Sequence, residues 1–200
     1  MYRNTFLSVM FLACCFNGSL CAQSDAQIYE RTCDAKTYPF SDPSPVATPN
    51  NSYYPYFRFD GFSMQAQEKQ WKMVVLENDY VKLTVTPEIG GKIWGAIDKV
   101  NNKEFVYTNG VVKFRDVAMR GPWTSGGIEF NFGIIGHAPT CSTPIDYLTK
   151  KNVDGSVSCH IFSYEWITRT VWNVEINLPK DKAYFTTHTT WFNQSSIDQP

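Results

Sequence analysis

From Trp71 onward, apolar and polar residues alternate with a period of two. Side chains of an extended chain point alternately to opposite faces, so this period marks half-buried strands. It predicts short strands over Lys72–Glu77, Val81–Thr86, Lys92–Asp98 and Glu104–Thr108. Turns fall between them at Asn78-Asp79, Pro87–Gly91 and Asn101-Asn102. Further on, Asp154-Gly155 closes a hairpin between Pro144–Lys150 and Ser156–Ile161. Tyr164–Leu178 reads as one long strand, or two with a bend, and Lys180-Asp181-Lys182 turns it into Ala183–Phe192. Short strands joined in this way by Asn, Asp, Gly and Pro predict an antiparallel sandwich or barrel. No stretch after the N-terminal segment carries a convincing helical period, so the expected class is all-β.

The pattern before Trp71 is different. Arg3, the apolar run Phe6–Ala13 and Leu20-Cys21-Ala22 have the order of an export signal cleaved after Ala22. The run is shorter than the ~20 residues a membrane-spanning helix needs. A lipid-anchored variant, modified at Cys14 or Cys15, is the alternative reading of the same segment. Gln23–Ser52, with prolines at 39, 43, 45 and 49 and no sustained period, reads as an extended leader. The main domain is expected over 53–200, its aromatic block Tyr53–Phe62 docking as an edge strand.

Composition changes this picture little. Aromatics at 16% favour strands, and a net charge of −1 without a basic patch argues against nucleic acid as a partner. The three histidines are widely spaced and show no metal-ligand pattern, so neither a metal nor a cofactor is expected. Export would leave Cys33, Cys141 and Cys159 in an oxidising compartment. One bridge, Cys141–Cys159, or independent buried thiols are both open, the latter being the commoner outcome.

Candidate chemistry concentrates in Gly121–His137, GPWTSGGIEFNFGIIGH. Ile128, Phe130 and Phe132 alternate with Glu129 and Asn131, which on a strand puts a carboxylate and an amide on one face. Arg120 and Trp123 precede them and His137 follows in a glycine-flanked loop. Indole, amide and charged groups suit a sugar pocket, since rings stack on the apolar faces of pyranoses while polar groups fix hydroxyls. The alternative is a half-buried strand with a solvated polar face, Glu129 held in an ion pair with Arg120.

Glu77–Asn109 resembles the opening of the galactose-mutarotase-like supersandwich. The match lies in Thr86-Pro87-Glu88-Ile89-Gly90-Gly91, the Asp98-Lys99 turn and the step Glu104–Tyr107. There the glycine pair is expected to let two strands cross tightly where one sheet feeds the other. More narrowly, Thr86–Gly91, Arg120–Trp123 and Gly126–Asn131 resemble a bacterial family, domain-of-unknown-function family 5107, whose domain often precedes tetratricopeptide repeats. The resemblance implies an antiparallel supersandwich incomplete at the C-terminus, since complete domains of this type need roughly 250 residues. The N-terminal export signal implies an exported protein, periplasmic or at the cell surface.

In sugar epimerases of that superfamily a Gly-Gly-Ile-Pro strand leads to a histidine loop, to which GGIEFNFGIIGH is similar in order. His137 thereby inherits an acid or sugar-binding role. Glu129 stands where proline is usual and no arginine closely follows His137, so simple epimerisation is not implied. The expected chemistry is general acid–base work on sugar, with Glu129 and His137 catalytic and Arg120, Trp123 and Asn131 binding substrate. A glycoside hydrolase would need a second carboxylate, from Glu88, Asp116 or residues beyond Pro200. The competing reading is a non-catalytic glycan-binding or assembly module ahead of downstream repeats. His188, mid-strand, is expected to be a sheet-surface residue.

Overall fold

The computed structural model describes residues 24–40, 61–116, 122–132, 138–165 and 168–199. They form eleven strands: β1 Gln27–Tyr38, β2 Gln67–Glu77, β3 Val81–Thr86, β4 Lys92–Asp98, β5 Lys103–Val106, β6 Val112–Asp116, β7 Pro122–Thr124, β8 Asp146–Lys151, β9 Val157–Glu165, β10 Thr170–Leu178 and β11 Thr186–Asn193. Seven make one sheet in the order β5-β4-β3-β2-β1-β6-β7 and four make a second, β11-β10-β9-β8. Neighbours are antiparallel except β1 and β6, which pair in parallel over two residues. The chain is the all-β sandwich that the alternation predicts.

The inner faces of the sheets meet in one core. Val74, Leu76, Leu83, Val85 and Ile93 of the larger sheet pack against Cys159, Ile161, Trp172, Val174 and Ile176 of the smaller. On β10 the period is unbroken: every second residue from Thr170 to Leu178 is buried. A second, smaller core lies on the outer face of the large sheet, where Trp71, Met73, Ile89 and Trp94 meet Val112 and Phe114 of β6. The sheet therefore curls, bringing β6 back over its own outer face.

One side chain fastens the two sheets at their end. Asn78, 4% exposed, accepts the N–H groups of Tyr80 and Val81 on Oδ1, shaping the β2–β3 turn. Its Nδ2 donates to the carbonyls of Pro179 and Lys182 beyond β10, at 2.7 and 2.8 Å. The sequence shows this asparagine as a turn former; the fold uses it also as a staple.

Four local expectations are refined. The stretch read as a leader contains β1, paired with β2 in register from Gln27↔Glu77 to Thr37↔Gln67. Its alternation is faint because both faces are only partly covered, Ile28 touching the main core and Cys33 and Ala35 the smaller one. Tyr164–Leu178 is a hairpin, turned near Arg169 at φ 55°, where a glycine or proline would have advertised it. Ile128–Phe132 forms no ladder and makes a single bridge, Ile93↔Ile128. Its apolar alternation still holds, because Ile128, Phe130 and Phe132 all pack on the main core.

The fourth concerns Gly90 and Gly91. They return β3 into its neighbour β4 within one sheet and do not pass between sheets. Both have positive φ, and a Cβ on Gly90 would lie 2.5 Å from the Cys141 backbone. Gly127 is as constrained, at φ 66° with a virtual Cβ 2.2 Å from the Ile93 carbonyl oxygen. The three cysteines among the described residues, Cys33, Cys141 and Cys159, are free thiols, without a Cys141–Cys159 bridge. Tyr53–Asp60 lie outside the described residues.

Gly127→Ala should therefore cost about 2–4 kcal/mol in urea unfolding, combining left-handed strain with a backbone clash. Gly110→Ala, whose added methyl meets nothing within 4 Å, should be near neutral.

Candidate functional site

At the start of β4 stands a lysine that the sequence pattern did not single out. Lys92 pairs with Thr86 on the outer face, yet the residue is 2% exposed. A buried ammonium must be satisfied by acceptors or it gives up its proton. Its Nζ donates to the Thr124 carbonyl and, at 3.0 Å, to Thr124 Oγ1. Burial holds its pKa below the ordinary lysine value, against the opposing pull of Glu129 and then Cys141.

Glu129 is thus drawn inward. Its Oε2 is buried, and its Oε1 accepts from Asn131 Nδ2 at 2.7 Å. Cys141 lies in the short 3-10 turn Pro139–Ser142, 1% exposed. Burial pushes its thiol up to about 12, with the Glu129 charge next and a hydrogen bond to that carboxylate adding to it. The Asn131 amide works both ways: its Oδ1 accepts the Ala138 N–H at 2.9 Å. One amide therefore joins the carboxylate to the far end of the loop that carries His137.

The predicted site residues are partly brought together. Glu129 and Asn131 are hydrogen-bonded, and the Glu129 charge acts on Lys92 through its field. Trp123 lies half-buried on β7, opposite Arg115. Alternation puts it on the face opposite Thr124, which holds Lys92. Arg120 and His137 lie outside the described residues, so the Arg120 pairing weighed for Glu129 does too.

Glu88 accepts the Lys72 N–H at 2.6 Å, committing that carboxylate to the backbone; the Asp116 side chain lies outside the described residues. His188 sits on exposed β11, the sheet-surface place expected of it. Across the register Glu175 lies between His188 and His160, accepting from Ser158 Oγ at 2.6 Å with His160 Nε2 3.8 Å away. No group of three ligating side chains among the described residues is placed to hold a metal.

Lys92 and Cys141 were missed because each looks ordinary alone. The available signal was a lysine immediately after Gly90-Gly91, in a strand otherwise apolar through Ala96. Gly127 completes the arrangement, since a Cβ there would approach Lys92 Cε at 3.2 Å.

These features define a curled, all-β sandwich domain in which a buried lysine held by Thr124 lies where the segment after β7 meets β4. The chain belongs to the family described as Domain of unknown function (DUF5107), which matches residues 48–200. It is also similar to the crystal structure of a TPR-domain containing protein from Parabacteroides distasonis ATCC 8503, at 26% identity and a TM-score of 0.75. That likeness covers 84% of this chain and 29% of the other, so the chain spans under a third of that protein's length. β1 precedes the family match, and its register shows that the large sheet begins before residue 48. No helix among the described residues is long and apolar enough to cross a membrane.

Two measurements check the buried cluster. Lys92→Met should lose about 1–3 kcal/mol by leaving the Thr124 carbonyl and hydroxyl without their buried donor. In a double-mutant cycle with Thr124→Val the two losses should be less than additive. The alkaline limb tests the thiols. Cys141 and Cys159 have pKa values raised from 9.0 to about 12, burial being the first cause in both. Between those values the unfolded thiols lose protons that the folded ones keep. Stability should fall as pH rises above 9, by up to about 1.4 kcal/mol per pH unit for each thiol. Lys92, shifted down, contributes the opposite slope below 10.5, so the fall should steepen above it. Melting curves from pH 8 to 11 read this directly, and Cys159→Ala should remove one thiol's share.

Proposed function

We propose that this chain is the carbohydrate-holding part of an exported, periplasmic or cell-surface protein, with sugar bound at the loop between Asn131 and Ala138. The observation that carries this reading is the hydrogen bond from the Ala138 N–H to Asn131 Oδ1. It ties Ala138, the residue after His137, to an amide that also donates to Glu129. Fixed groups at both ends of a binding segment reduce the ordering cost of recognising hydroxyls. Arg120, Trp123 and His137 are the groups that would meet the sugar, His137 serving as acid where chemistry follows. Glu129 and Asn131 would act chiefly by holding the loop.

The inward setting of the Glu129 carboxylate favours binding over hydrolysis. A general base has to reach its proton at hydrogen-bond distance, and this carboxylate is occupied by protein partners. A glycan-holding module ahead of tetratricopeptide repeats is the fuller form of the proposal. The likeness to a TPR-domain containing protein supports that arrangement.

Glycan-array binding by the full-length protein tests it. His137→Ala and Trp123→Ala should each weaken the bound glycan at least about tenfold, with melting temperature unchanged. Trp172→Ala, which removes a core ring stacked on Phe132 at 4.5 Å, should instead lower the melting temperature. Wild-type protein that retains no glycan, or variants that bind like wild type, would end the proposal.

A further inference from the structure

The outer face of the large sheet holds a groove of about 400 Å³, distinct from the Glu129 cluster. That volume falls within the roughly 300–1,000 Å³ of small-ligand sites. Its floor is apolar, from Met73, Trp94 and Val112, all members of the smaller core. A bulge between β3 and β4 at Thr84/Val85 lets Trp94 face outward beside Gly95. Above the floor stand Arg31 of β1 and Lys82 of β3.

The charge around this floor is unbalanced. Glu77 takes Lys99 at 2.8 Å and Lys82 at 3.4 Å, and accepts from Tyr29 Oη at 3.0 Å. Burial would raise its pKa, but Lys99, Tyr29 and Lys82 together hold it below the ordinary carboxylate value. One carboxylate thus serves two ammonium groups. Arg31 makes no ion pair with any described residue. Asp34 also borders the groove, but alternation along β1 turns its side chain to the opposite face from Arg31. Glu104 stands on the edge-strand side, its Oε2 accepting the Thr108 N–H at 3.4 Å.

We propose that this groove binds a uronic acid residue of an acidic glycan, its carboxylate on the Arg31 guanidinium and its apolar ring face on the Met73–Trp94 floor. A guanidinium fork matches a planar carboxylate with two parallel donors, and Lys82 adds positive field from across the groove. A neutral sugar would leave the fork to water and gain only the floor. The site does not need the His137 loop, so the two proposals stand or fall separately.

Isothermal titration of the full-length protein with trimers of galacturonate, glucuronate and mannuronate, beside the neutral galactose, glucose and mannose trimers of the same linkages, tests this. At least one uronate trimer should bind about tenfold or more tightly than its neutral counterpart, and more weakly as salt rises. Arg31→Gln should abolish that preference, Arg31→Lys should keep part of it, and both should melt like wild type. His137→Ala should leave uronate binding unchanged. Equal affinity for acid and neutral trimers, no binding of any uronate, or an Arg31→Gln protein that still prefers the acid would each overturn the assignment. None of these would touch the His137-loop proposal, which is read from its own variants.

Discussion

The burial of one ammonium group governs how the middle of this chain is built. Lys92 begins a strand whose neighbours are apolar, and its charge has nowhere to reach water. Desolvating such a group costs several kcal/mol unless acceptors and a countercharge come to it. Thr124 supplies the acceptors, which holds β7 against β4, and the Glu129 charge favours the ammonium form. Once there, Ile128 exchanges two backbone hydrogen bonds with Ile93, and Phe132 reaches across to stack on Trp172 of the other sheet. An electrostatic requirement at a single residue thereby fixes the course of a loop and closes one side of the hydrophobic core.

The glycines at 90 and 127 belong to the same constraint. The start of β4, the 126–129 segment and the Cys141 turn approach so closely that a methyl group at either position would strike backbone. A glycine weakens the unfolded-to-folded balance through its entropy, but here side chains are excluded by contact. The glycines at these positions are thus a packing solution. Function, where it enters, is carried by side chains that this frame presents.

Much of the fold was legible because its strands obey the period of two. Val81–Thr86 and Lys92–Asp98 were delimited to the residue, and the Asp154-Gly155 hairpin was placed by its turn chemistry. Legibility failed where the usual signals are absent. β1 has two half-covered faces, so no alternation shows; the β9–β10 turn uses Arg169 in a left-handed conformation where glycine is the usual sign. The site was legible in part: Glu129 and Asn131 were seen as neighbours in purpose, and they are hydrogen-bonded. What could not be read was the burial of Lys92, because its acceptor Thr124 lies far along the chain from a strand that looks merely structural. The groove over Trp94 was hidden for the same reason, being made from six strands and a bulge that sequence separation conceals.

Asn78 has a consequence for the lifetime of the molecule. Asparagine side chains slowly hydrolyse to aspartate, and at this position that would exchange a double donor for an anion aimed at the carbonyls of Pro179 and Lys182. Attraction would become repulsion at the seam of the two layers. Its burial and its four hydrogen bonds are also what restrains the backbone motion such hydrolysis requires. The clasp that joins the sandwich therefore also shields itself from chemical ageing, and any change that loosens this corner would start a clock on the rest.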